Sequence, residues 1–408
     1  MSRSLLVVVT IFIQLISHDG FFVVSLASKT CSAKTEDCNL AEVDAAHPKL
    51  FMLDGVEVGH VQEVKLEEGR VHQLITKSLK PLLFEIPEFL SDEECEHIIK
   101  LAGKKGLFES TTLPDHEDHS AYSDEEKNEN CKDLLSNDRD SDGKISTVEF
   151  STFIKQEFSM SVSDADVDMM LRKINFDRDS DGLISEKECL KGNHVAFDKY
   201  MRYLEDNHPR ERTRLSKQTW LRVTGSTDLV LRDLQRRQEK VIQLTKLPQF
   251  FIENSEDLQV VQYGVHGHYH AHYDSTNEWN GEASRCCFGN YSDNCSLCRF
   301  MTVLYYLNDV KRGGETAFPV ADEKNINQTE IEKEDRTNLS IHCYDANVVV
   351  RPARGKAVMW YNHMISNVTG LLGTHDVRSL HGGCDVLEGS KWIANNWINA
   401  PFEWKEDS

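Results

Sequence analysis

The most informative stretch of the sequence is YGVHGHYHAHYD at 263–274, taken together with LHGGCDVLEGSKW at 380–392. His272 and Asp274 are two positions apart, so an extended strand directs both side chains to one face. A third ligand has to come from elsewhere, and His381 is the best candidate because it opens a run of small residues. Two histidines and one carboxylate on one face of Fe(II) leave open coordination positions, as in non-haem iron oxygenases.

Lys391 follows His381 on the apolar run KWIA. A buried ammonium needs an anionic partner. The distal carboxylate of a 2-oxoglutarate that chelates the iron would be such a partner. The two stretches therefore predict an iron site that uses 2-oxoglutarate and O2.

Other interpretations of these residues exist. A His-x-Asp pair alone is common, and a single lysine usually lies at the surface. His266, His268, His270 and His272 alternate, so one strand face could present several imidazoles to zinc or copper. The order and spacing of His272, Asp274, His381 and Lys391 together favour iron.

Two segments match the twelve-residue calcium loop of EF-hands: DRDSDGKISTVE at 138–149 and DRDSDGLISEKE at 177–188. Each has acids at the first, third and fifth positions, a glycine at the sixth and a glutamate at the twelfth. The predicted Ca2+ ligands are Asp138, Asp140, Asp142, Lys144 and Glu149 in the first loop, and Asp177, Asp179, Asp181, Leu183 and Glu188 in the second, with Lys144 and Leu183 acting through their carbonyls. A pair of structural calcium ions is favoured over a regulatory calcium sensor, although the sequence pattern of the loops is the same for both functions.

Composition limits the class of protein. The chain has 408 residues, 39% of them hydrophobic, which suits folded domains and exceeds one small core. The net charge of −21 disfavours nucleic acid as a partner.

The N-terminus predicts a secretory address. Arg3 precedes an apolar run at 5–16, and small residues at 25–27 suit cleavage, so 1–27 is interpreted as a signal peptide. The alternative is a membrane anchor over 5–27, which is disfavoured because Asp19 would cost about 2.5 to 3.5 kcal/mol at mid-membrane. Either one delivers the remaining chain to the lumen of the secretory pathway, in the endoplasmic reticulum or beyond it.

Glycosylation sequons and cysteines agree with a luminal location. The sequons are at Asn290, Asn294, Asn327, Asn338 and Asn367. The chain has 11 cysteines, and local disulfides are expected among Cys286, Cys287, Cys295 and Cys298, with a zinc knuckle as the alternative.

The element pattern predicts an α+β protein. Short strands with Gly-rich turns from residue 258 onward suit a double-stranded β-helix, or jelly roll, with flanking helices at 91–102 and 228–244. The polar segment 326–337 is expected to be a loop. The predicted divisions are 1–27, an N-terminal β region with the start of the oxygenase domain at 28–112, an inserted all-α EF-hand pair at 113–207, and the catalytic region at 208–403.

Apart from that insert, the chain from Pro81 to Trp397 resembles the prolyl 4-hydroxylases of the collagen and hypoxia-inducible-factor type. The resemblance is carried by PLLFEIPEFLSDEECEHIIKLA at 81–102, GGETAFPVAD at 313–322 and KWIANNWI at 391–398. The inserted calcium loops resemble those of the family branch that lies in the endoplasmic reticulum membrane. It implies that His272, Asp274 and His381 bind iron and that Lys391, Tyr263 and Thr316 bind 2-oxoglutarate.

The resemblance also places Tyr269, Trp397 and Arg299 near a peptide substrate. Strict strand alternation puts Tyr269 on the face opposite His272, so a bend would be needed. The family further implies O2 and ascorbate as reactants and a proline-containing protein or peptide as substrate.

The expected function is therefore hydroxylation of prolyl residues with release of succinate and CO2. One alternative is a luminal calcium-binding protein whose oxygenase-like domain is an inactive binding platform. Another keeps the chemistry but hydroxylates a different residue, such as lysine. The sequence does not identify the substrate or the oligomeric state.

Overall fold

The structure is a computed structural model that describes residues 49–110, 121–244, 256–275, 278–279, 282–283, 286 and 297–402. All of these lie in one unit, 48–408. The predicted leader and the sequons at Asn290 and Asn294 lie outside the described residues, as do Cys287 and Cys295. No helix within the described ranges is long and apolar enough to cross a membrane.

Helices and strands alternate along the chain in three groups. The first group is β1 Val61–Glu67, β2 Arg70–Leu79, β3 Leu82–Ile86, α1 Asp92–Lys105 and β4 Phe108–Glu109. The second, which carries the calcium loops, is α2 Asp124–Leu135, β5 Lys144–Ser146, α3 Thr147–Phe158, α4 Asp164–Lys173, β6 Leu183–Ser185, α5 Glu186–Lys191 and α6 His194–Asn207.

The third group forms most of the β-structure. It consists of β7 Arg214–Leu215, β8 Lys217–Leu221, α7 Leu229–Leu244, β9 Leu258–Tyr263, β10 His268–His272, β11 Glu278–Trp279, β12 Glu282–Ala283, β13 Leu297–Tyr306, β14 Arg312–Gly313, β15 Thr316–Phe318, α8 Gln328–Lys333, α9 Leu339–His342, β16 Val348–Val350, β17 Ala357–Tyr361, β18 His363–Ile365, β19 Leu372–His375, β20 His381–Gly383, β21 Val386–Glu388 and β22 Lys391–Pro401.

Two sheets form the oxygenase domain. In the described residues the major sheet has the order β1-β2-β3-β17-β13-β22-β9-β8-β4, and the minor sheet has the order β16-β15-β20-β10-β7. One hydrophobic cluster joins them, with Tyr263 and Tyr306 from the major sheet and Phe318 and Val350 from the minor sheet. The predicted jelly roll is confirmed.

The long central strand β13 shows how the domain forms three layers: helices, the major sheet and the minor sheet. Successive side chains of this strand point alternately to the two faces of the major sheet. Val303 and Tyr305 belong to the cluster that packs on α1 and α7, whereas Leu304 and Tyr306 belong to the cluster between the sheets. The helices therefore cover one face of the major sheet, and the minor sheet covers the other. The candidate site lies on the side of the minor sheet.

The two helices begin and pack as the sequence predicts. Ser91 and Glu94 form a capping box at the start of α1, with Glu94 N donating to Ser91 Oγ and Ser91 N donating to the Glu94 carboxylate. On α7, Leu231, Leu234 and Val241 are buried against the major sheet.

The calcium loops lie in a second module with its own core. Its buried residues run from Cys131 to Leu204 and form a cluster separate from the sheet clusters. Helices flank both loops, and β5 pairs with β6 so that Ile145 lies opposite Ile184. Ser163 caps the start of α4 by accepting from Asp166 N.

This module contacts the oxygenase domain close to β10. Met160 forms an isolated bridge with Arg212 just before β7, and Thr213 N donates to Ser159 O. On the other side, Lys155 Nζ forms an ion pair with Asp335 at 2.9 Å. The segment that holds Asp335 includes α8, so the prediction of a loop over 326–337 was incomplete: a six-residue helix forms there and buries Ile331.

Cysteines and sequons can be placed in part. Cys286 and Cys298 form a disulfide, which agrees with the expected local pairing, and two further disulfides join Cys131 to Cys189 and Cys343 to Cys384. Asn327 and Asn367 are exposed, whereas the Asn338 side chain caps α9 by accepting from Ser340 N. Glycosylation at these positions stays a prediction.

Candidate active site

Three predicted ligands converge where β10 meets β20. These strands are antiparallel neighbours, and His272 lies directly opposite His381. Asp274 Oδ1 is 3.8 Å from His272 Nε2, and Asp274 Oδ2 is 3.6 Å from His381 Nε2. One donor atom from each residue lies within 4.8 Å of the others, a spacing that allows all three to bind one ion.

Backbone carbonyls fix the tautomers of both imidazoles. His272 Nδ1 is 2.9 Å from His270 O, and His381 Nδ1 is 2.8 Å from Ser379 O. A carbonyl can only accept, so each Nδ1 carries the proton and each Nε2 presents a lone pair toward Asp274. Burial, and after it the nearby His381, lowers the pKa of His272 well below its usual value, so the neutral form that binds metal is favoured.

The other alternating histidines do not join this group. His268 is fully buried, with Nδ1 2.8 Å from His266 O and Nε2 2.7 Å from Arg212 O. His270 stacks against His268 with 4.6 Å between ring centroids. Among the described residues neither belongs to a group that could hold a metal, which disfavours the zinc or copper tract.

A register shift in β10 corrects the expected side for Tyr269. The pairing with β20 shifts between Tyr269 and His272, and the two rings stack with centroids 3.6 Å apart. The bulge adds the bend that strict alternation lacks, because it changes which face the following side chain occupies. Tyr269 therefore lies beside the proposed iron ligand and not on the opposite face.

Lys391 lies deeper between the sheets. It is 2% exposed, and within the described part of the chain no carboxylate oxygen approaches its ammonium within 4.0 Å. It pairs across strands with Tyr263, and its Nζ is 5.2 Å from the centroid of that ring. A Cβ on Gly383 would lie 3.4 Å from Lys391 Nζ and 4.0 Å from the Tyr263 hydroxyl. Because Gly383 has no side chain, an anion has room beside two hydrogen-bond donors, the Lys391 ammonium and the Tyr263 hydroxyl.

Lys391, Tyr263 and Thr316 surround Gly383, and we call this group the cradle. Thr316 belongs to it from β15, where it pairs with Gly383. Its Oγ1 accepts from the Tyr306 hydroxyl at 2.6 Å, a contact that the sequence did not indicate. Because Tyr306 supplies the proton, the hydroxyl hydrogen of Thr316 is left to donate to a ligand.

Charge in the cradle depends on burial. Burial lowers the pKa of Lys391 to about 7, although Glu315 nearby opposes the effect, and burial raises the pKa of Tyr263 to about 12. Tyr263 is therefore a hydrogen-bond donor at neutral pH. Lys391 is therefore only partly charged at neutral pH, and a bound anion would favour its protonated form.

The predicted substrate residues Arg299 and Trp397 lie together next to Asp274. The Arg299 guanidinium is 3.7 Å from the Trp397 ring, and its Nη1 donates to Asp274 O at 3.4 Å. Its Nε and Nη2 each donate to the Glu256 carboxylate at 2.7 Å. Trp397 Nε1 is buried and has no hydrogen-bond partner in the described residues, which is uncommon for a buried donor.

Thr302 is a functional candidate that sequence analysis missed. Its hydroxyl donates to Asp274 Oδ2 at 2.7 Å and accepts from Asn362 Nδ2 at 2.9 Å. Alternation along RFMTVLYYL could have placed Thr302 on the inner face, but no motif shows that it touches Asp274.

Thr302→Val removes this hydrogen bond while keeping the side-chain shape. We expect Fe(II) affinity to fall about 10- to 100-fold, because second-sphere partners orient metal-binding carboxylates. Equilibrium Fe(II) binding, measured without O2, checks the value. Thr302→Ser keeps the hydroxyl and is the control; equal affinity in Thr302→Val and the native protein would contradict the role.

The calcium loops have the backbone geometry of the EF-hand turn. Gly143 and Gly182 have φ of 83° and 81°, which suits glycine at the sixth position. The carboxylates group as Asp138, Asp140 and Glu149 in one loop and Asp177, Asp179 and Glu188 in the other. Asp142 and Asp181 instead accept from the backbone N–H groups of Lys144 and Leu183 at 2.8 Å.

Comparisons with known proteins agree with this geometry. Residues 258–399 match the model of the 2OG-Fe(II) oxygenase superfamily. The chain is 40% identical to the transmembrane prolyl 4-hydroxylases of Mus musculus and Homo sapiens, over 86% of this chain and 69% and 70% of those proteins. It is 35% identical to prolyl 4-hydroxylase 2 of Arabidopsis thaliana, over 40% of this chain and 46% of that protein.

Among solved structures, the 2OG complex of the viral collagen prolyl hydroxylase from Paramecium Bursaria Chlorella virus-1 matches with a TM-score of 0.37 and 18% identity, over 78% of this chain and 96% of that chain. The mammalian relatives are matched over more than two thirds of their length at 40% identity. The chain therefore belongs to the prolyl 4-hydroxylase family of 2OG-Fe(II) oxygenases.

Proposed function

We propose that this protein is an Fe(II)- and 2-oxoglutarate-dependent dioxygenase that converts prolyl residues of a protein or peptide to 4-hydroxyproline. The observation that carries the proposal is a three-residue group that could hold iron, with a buried lysine beside Gly383 of the same strand β20 and no carboxylate partner for that lysine in the described chain. An unpaired buried lysine is costly for stability, which favours a functional role for it.

The proposed iron ligands are His272, Asp274 and His381. Nitrogen and carboxylate donors on one face suit Fe(II), and the fixed tautomers leave both Nε2 atoms free to bind it. The hydrogen bond that the Thr302 hydroxyl donates to Asp274 Oδ2 orients this carboxylate.

The proposed 2-oxoglutarate subsite is the cradle at Gly383. Lys391 supplies a charge for the distal carboxylate, and Tyr263 and Thr316 supply neutral hydroxyl donors. Because the cradle is buried, these donors act where water does not compete strongly with them.

The chemistry itself comes from iron, 2-oxoglutarate and O2, which together yield succinate, CO2 and a hydroxylated carbon. The protein contributes orientation and the exclusion of water. Tyr269 and the pair of Arg299 and Trp397 flank the ligand group on two sides, and we assign them to the peptide. Ascorbate is the expected reductant for iron oxidised in unproductive turnovers.

We further propose a luminal location in the secretory pathway, with the catalytic region on the luminal side of an endoplasmic reticulum membrane. Support comes from the disulfides among the described cysteines and from the mammalian relatives, which are named transmembrane prolyl 4-hydroxylases.

Product analysis tests the reaction. Purified protein with Fe(II), 2-oxoglutarate, ascorbate and O2 should release succinate and form 4-hydroxyproline on proline peptides, at equal amounts of the two products. Asp274→Ala should lose both. Succinate release with hydroxylysine and no hydroxyproline would transfer the function to lysine, and protein that binds neither iron nor 2-oxoglutarate would support the inactive platform.

We also propose that the two loops of the helical module bind calcium mainly as structural ions. The carboxylates of Glu149 and Glu188 are buried and converge with two aspartates each. Without a cation, three carboxylates within 4.8 Å repel one another. Calcium would therefore stabilise the loops.

Glu149→Gln together with Glu188→Gln should weaken calcium binding and remove most of the rise in melting temperature that calcium produces, since each loop loses its twelfth-position ligand. Thermal unfolding with Ca2+ or with a chelator measures this. The control is Glu186→Gln, which removes an exposed charge at the tenth position of the second loop but none of the predicted ligands. An unchanged melting temperature combined with altered turnover would favour a sensor.

A further inference from the structure

Arg214 lies at the edge of the minor sheet next to the candidate site. On β7 it pairs across strands with Tyr269, which places both side chains on one face. Its guanidinium carbon is 4.6 Å from the Tyr269 ring centroid, and that ring stacks on His272 at 3.6 Å. The half-buried guanidinium of Arg214 is thus separated from the proposed iron ligand His272 by the ring of Tyr269.

A network of buried neutral groups fixes the guanidinium. Nε donates to Ser216 Oγ at 3.1 Å, and Nη2 donates to Gln218 Oε1 at 3.1 Å. The same Gln218 oxygen accepts from Gln259 Nε2 at 2.7 Å. Because folding already orders this side chain, a ligand would lose little affinity to ordering it.

The charge of Arg214 is not neutralised within the part of the chain that the structure describes, since no carboxylate lies within 4.0 Å. Arg299, the other arginine beside the ligand group, differs: Glu256 binds it through two 2.7 Å hydrogen bonds. Lys391 is deeper and is reserved for 2-oxoglutarate in the proposed function. Of these three cations near the ligand group, Arg214 is therefore the one whose charge can still pair with an acidic group of a substrate.

We propose that Arg214 forms a subsite for an acidic side chain of the peptide substrate, within about three residues of the hydroxylated proline. The proposal rests on the proposed function. Two stacked layers of 4.6 and 3.6 Å separate the guanidinium from His272, a distance that two to three residues of extended peptide span at about 3.3 Å each.

A carboxylate fits this position better than a backbone carbonyl. A peptide carbonyl satisfies donors but leaves the charge of the guanidinium uncompensated. A carboxylate does both, and hydrogen bonds between charged groups are about twice as strong as neutral ones. Arg214 thus selects among proline peptides by charge.

Binding of charge-matched peptides tests the subsite without requiring turnover. Protein loaded with Mn(II) and 2-oxoglutarate in the absence of O2 is titrated with fluorescent proline peptides. These carry Asp, Asn or Lys at each of three positions on either side of the proline. The native protein should bind the best Asp peptide about tenfold more tightly than its Asn counterpart.

Variants separate charge recognition from a purely structural role. Arg214→Gln should lose the preference for Asp over Asn, Arg214→Lys should keep part of it, and Arg214→Glu should favour the Lys peptide. Arg222→Gln removes the same charge from an exposed arginine just beyond β8 and should keep the native preference. Structural damage would lower affinity for Asp and Asn peptides equally.

Three results would overturn the subsite: equal binding of Asp and Asn peptides by the native protein, a preference that persists in Arg214→Gln, or no binding of any peptide. The proposed function has a separate readout, 4-hydroxyproline formed with Fe(II) and O2. Charge-dependent binding without hydroxyproline would leave the subsite standing and reject the reaction. Hydroxyproline without charge preference would do the reverse.

Discussion

His381→Ala should abolish turnover and weaken Fe(II) binding more than about 100-fold, because it removes one of three converging ligands rather than an outer partner. His381 Nε2 lies 3.6 Å from Asp274 Oδ2 and opposite His272, and in the described part of the chain no other histidine belongs to this group. Equilibrium Fe(II) binding and succinate release measure the two effects.

The control for this change is His342→Ala. His342 lies on α9, and its Nδ1 is 2.9 Å from Asp345 Oδ2; within the described residues it belongs to no group that could hold a metal. Calcium binding should be native in both variants, because the calcium loops use other residues. If His381→Ala retained iron and turnover, another histidine such as His268 or His270 would have to be the ligand.

Lys391→Met should reduce 2-oxoglutarate affinity by about 150- to 5,000-fold, since it leaves a carboxylate buried without its charged partner, at a cost of about 3 to 5 kcal/mol. Methionine has similar length and no charge, and it suits this position because Lys391 is buried. Calorimetric titration of 2-oxoglutarate into Mn(II)-loaded protein measures the loss independently of catalysis.

The pH dependence of the same titration identifies Lys391 by its pKa. Burial lowers that pKa to about 7, and a carboxylate binds the protonated form. Affinity should therefore be highest below pH 7 and fall by about tenfold per pH unit above it, until the pKa of the complex is reached.

Lys391→Arg is the matched variant, because a guanidinium stays charged throughout this range. Its affinity, whatever its absolute value, should vary little between pH 7 and 9. A native protein whose 2-oxoglutarate affinity is independent of pH over that interval would show that Lys391 is already fully charged before the ligand binds.

The iron group was predictable because its chemistry needs residue types at short, regular spacing. His272 and Asp274 share a strand, and two glycines mark the close approach at His381. The calcium loops were predictable for the same reason, since twelve consecutive residues carry the whole turn. Short strands separated by Gly-rich turns likewise indicated the jelly roll, which the two-sheet structure confirms.

Contacts between distant segments were not predictable. Thr302 is 28 positions from Asp274, and Tyr306 is 10 positions from Thr316, yet each pair is hydrogen-bonded. The bulge in β10 also escaped the sequence pattern, because it arises from pairing with β20 rather than from the residues of β10 alone.

Local spacing and residue chemistry were enough to predict the family, the calcium-loop pattern and the candidate ligands. The side that Tyr269 occupies, the hydrogen bond that orients Asp274 and the uncompensated charge of Arg214 beside the site became visible only in the fold. These properties depend on which strands become neighbours, and strand pairing depends on burial across the whole domain rather than on any single segment.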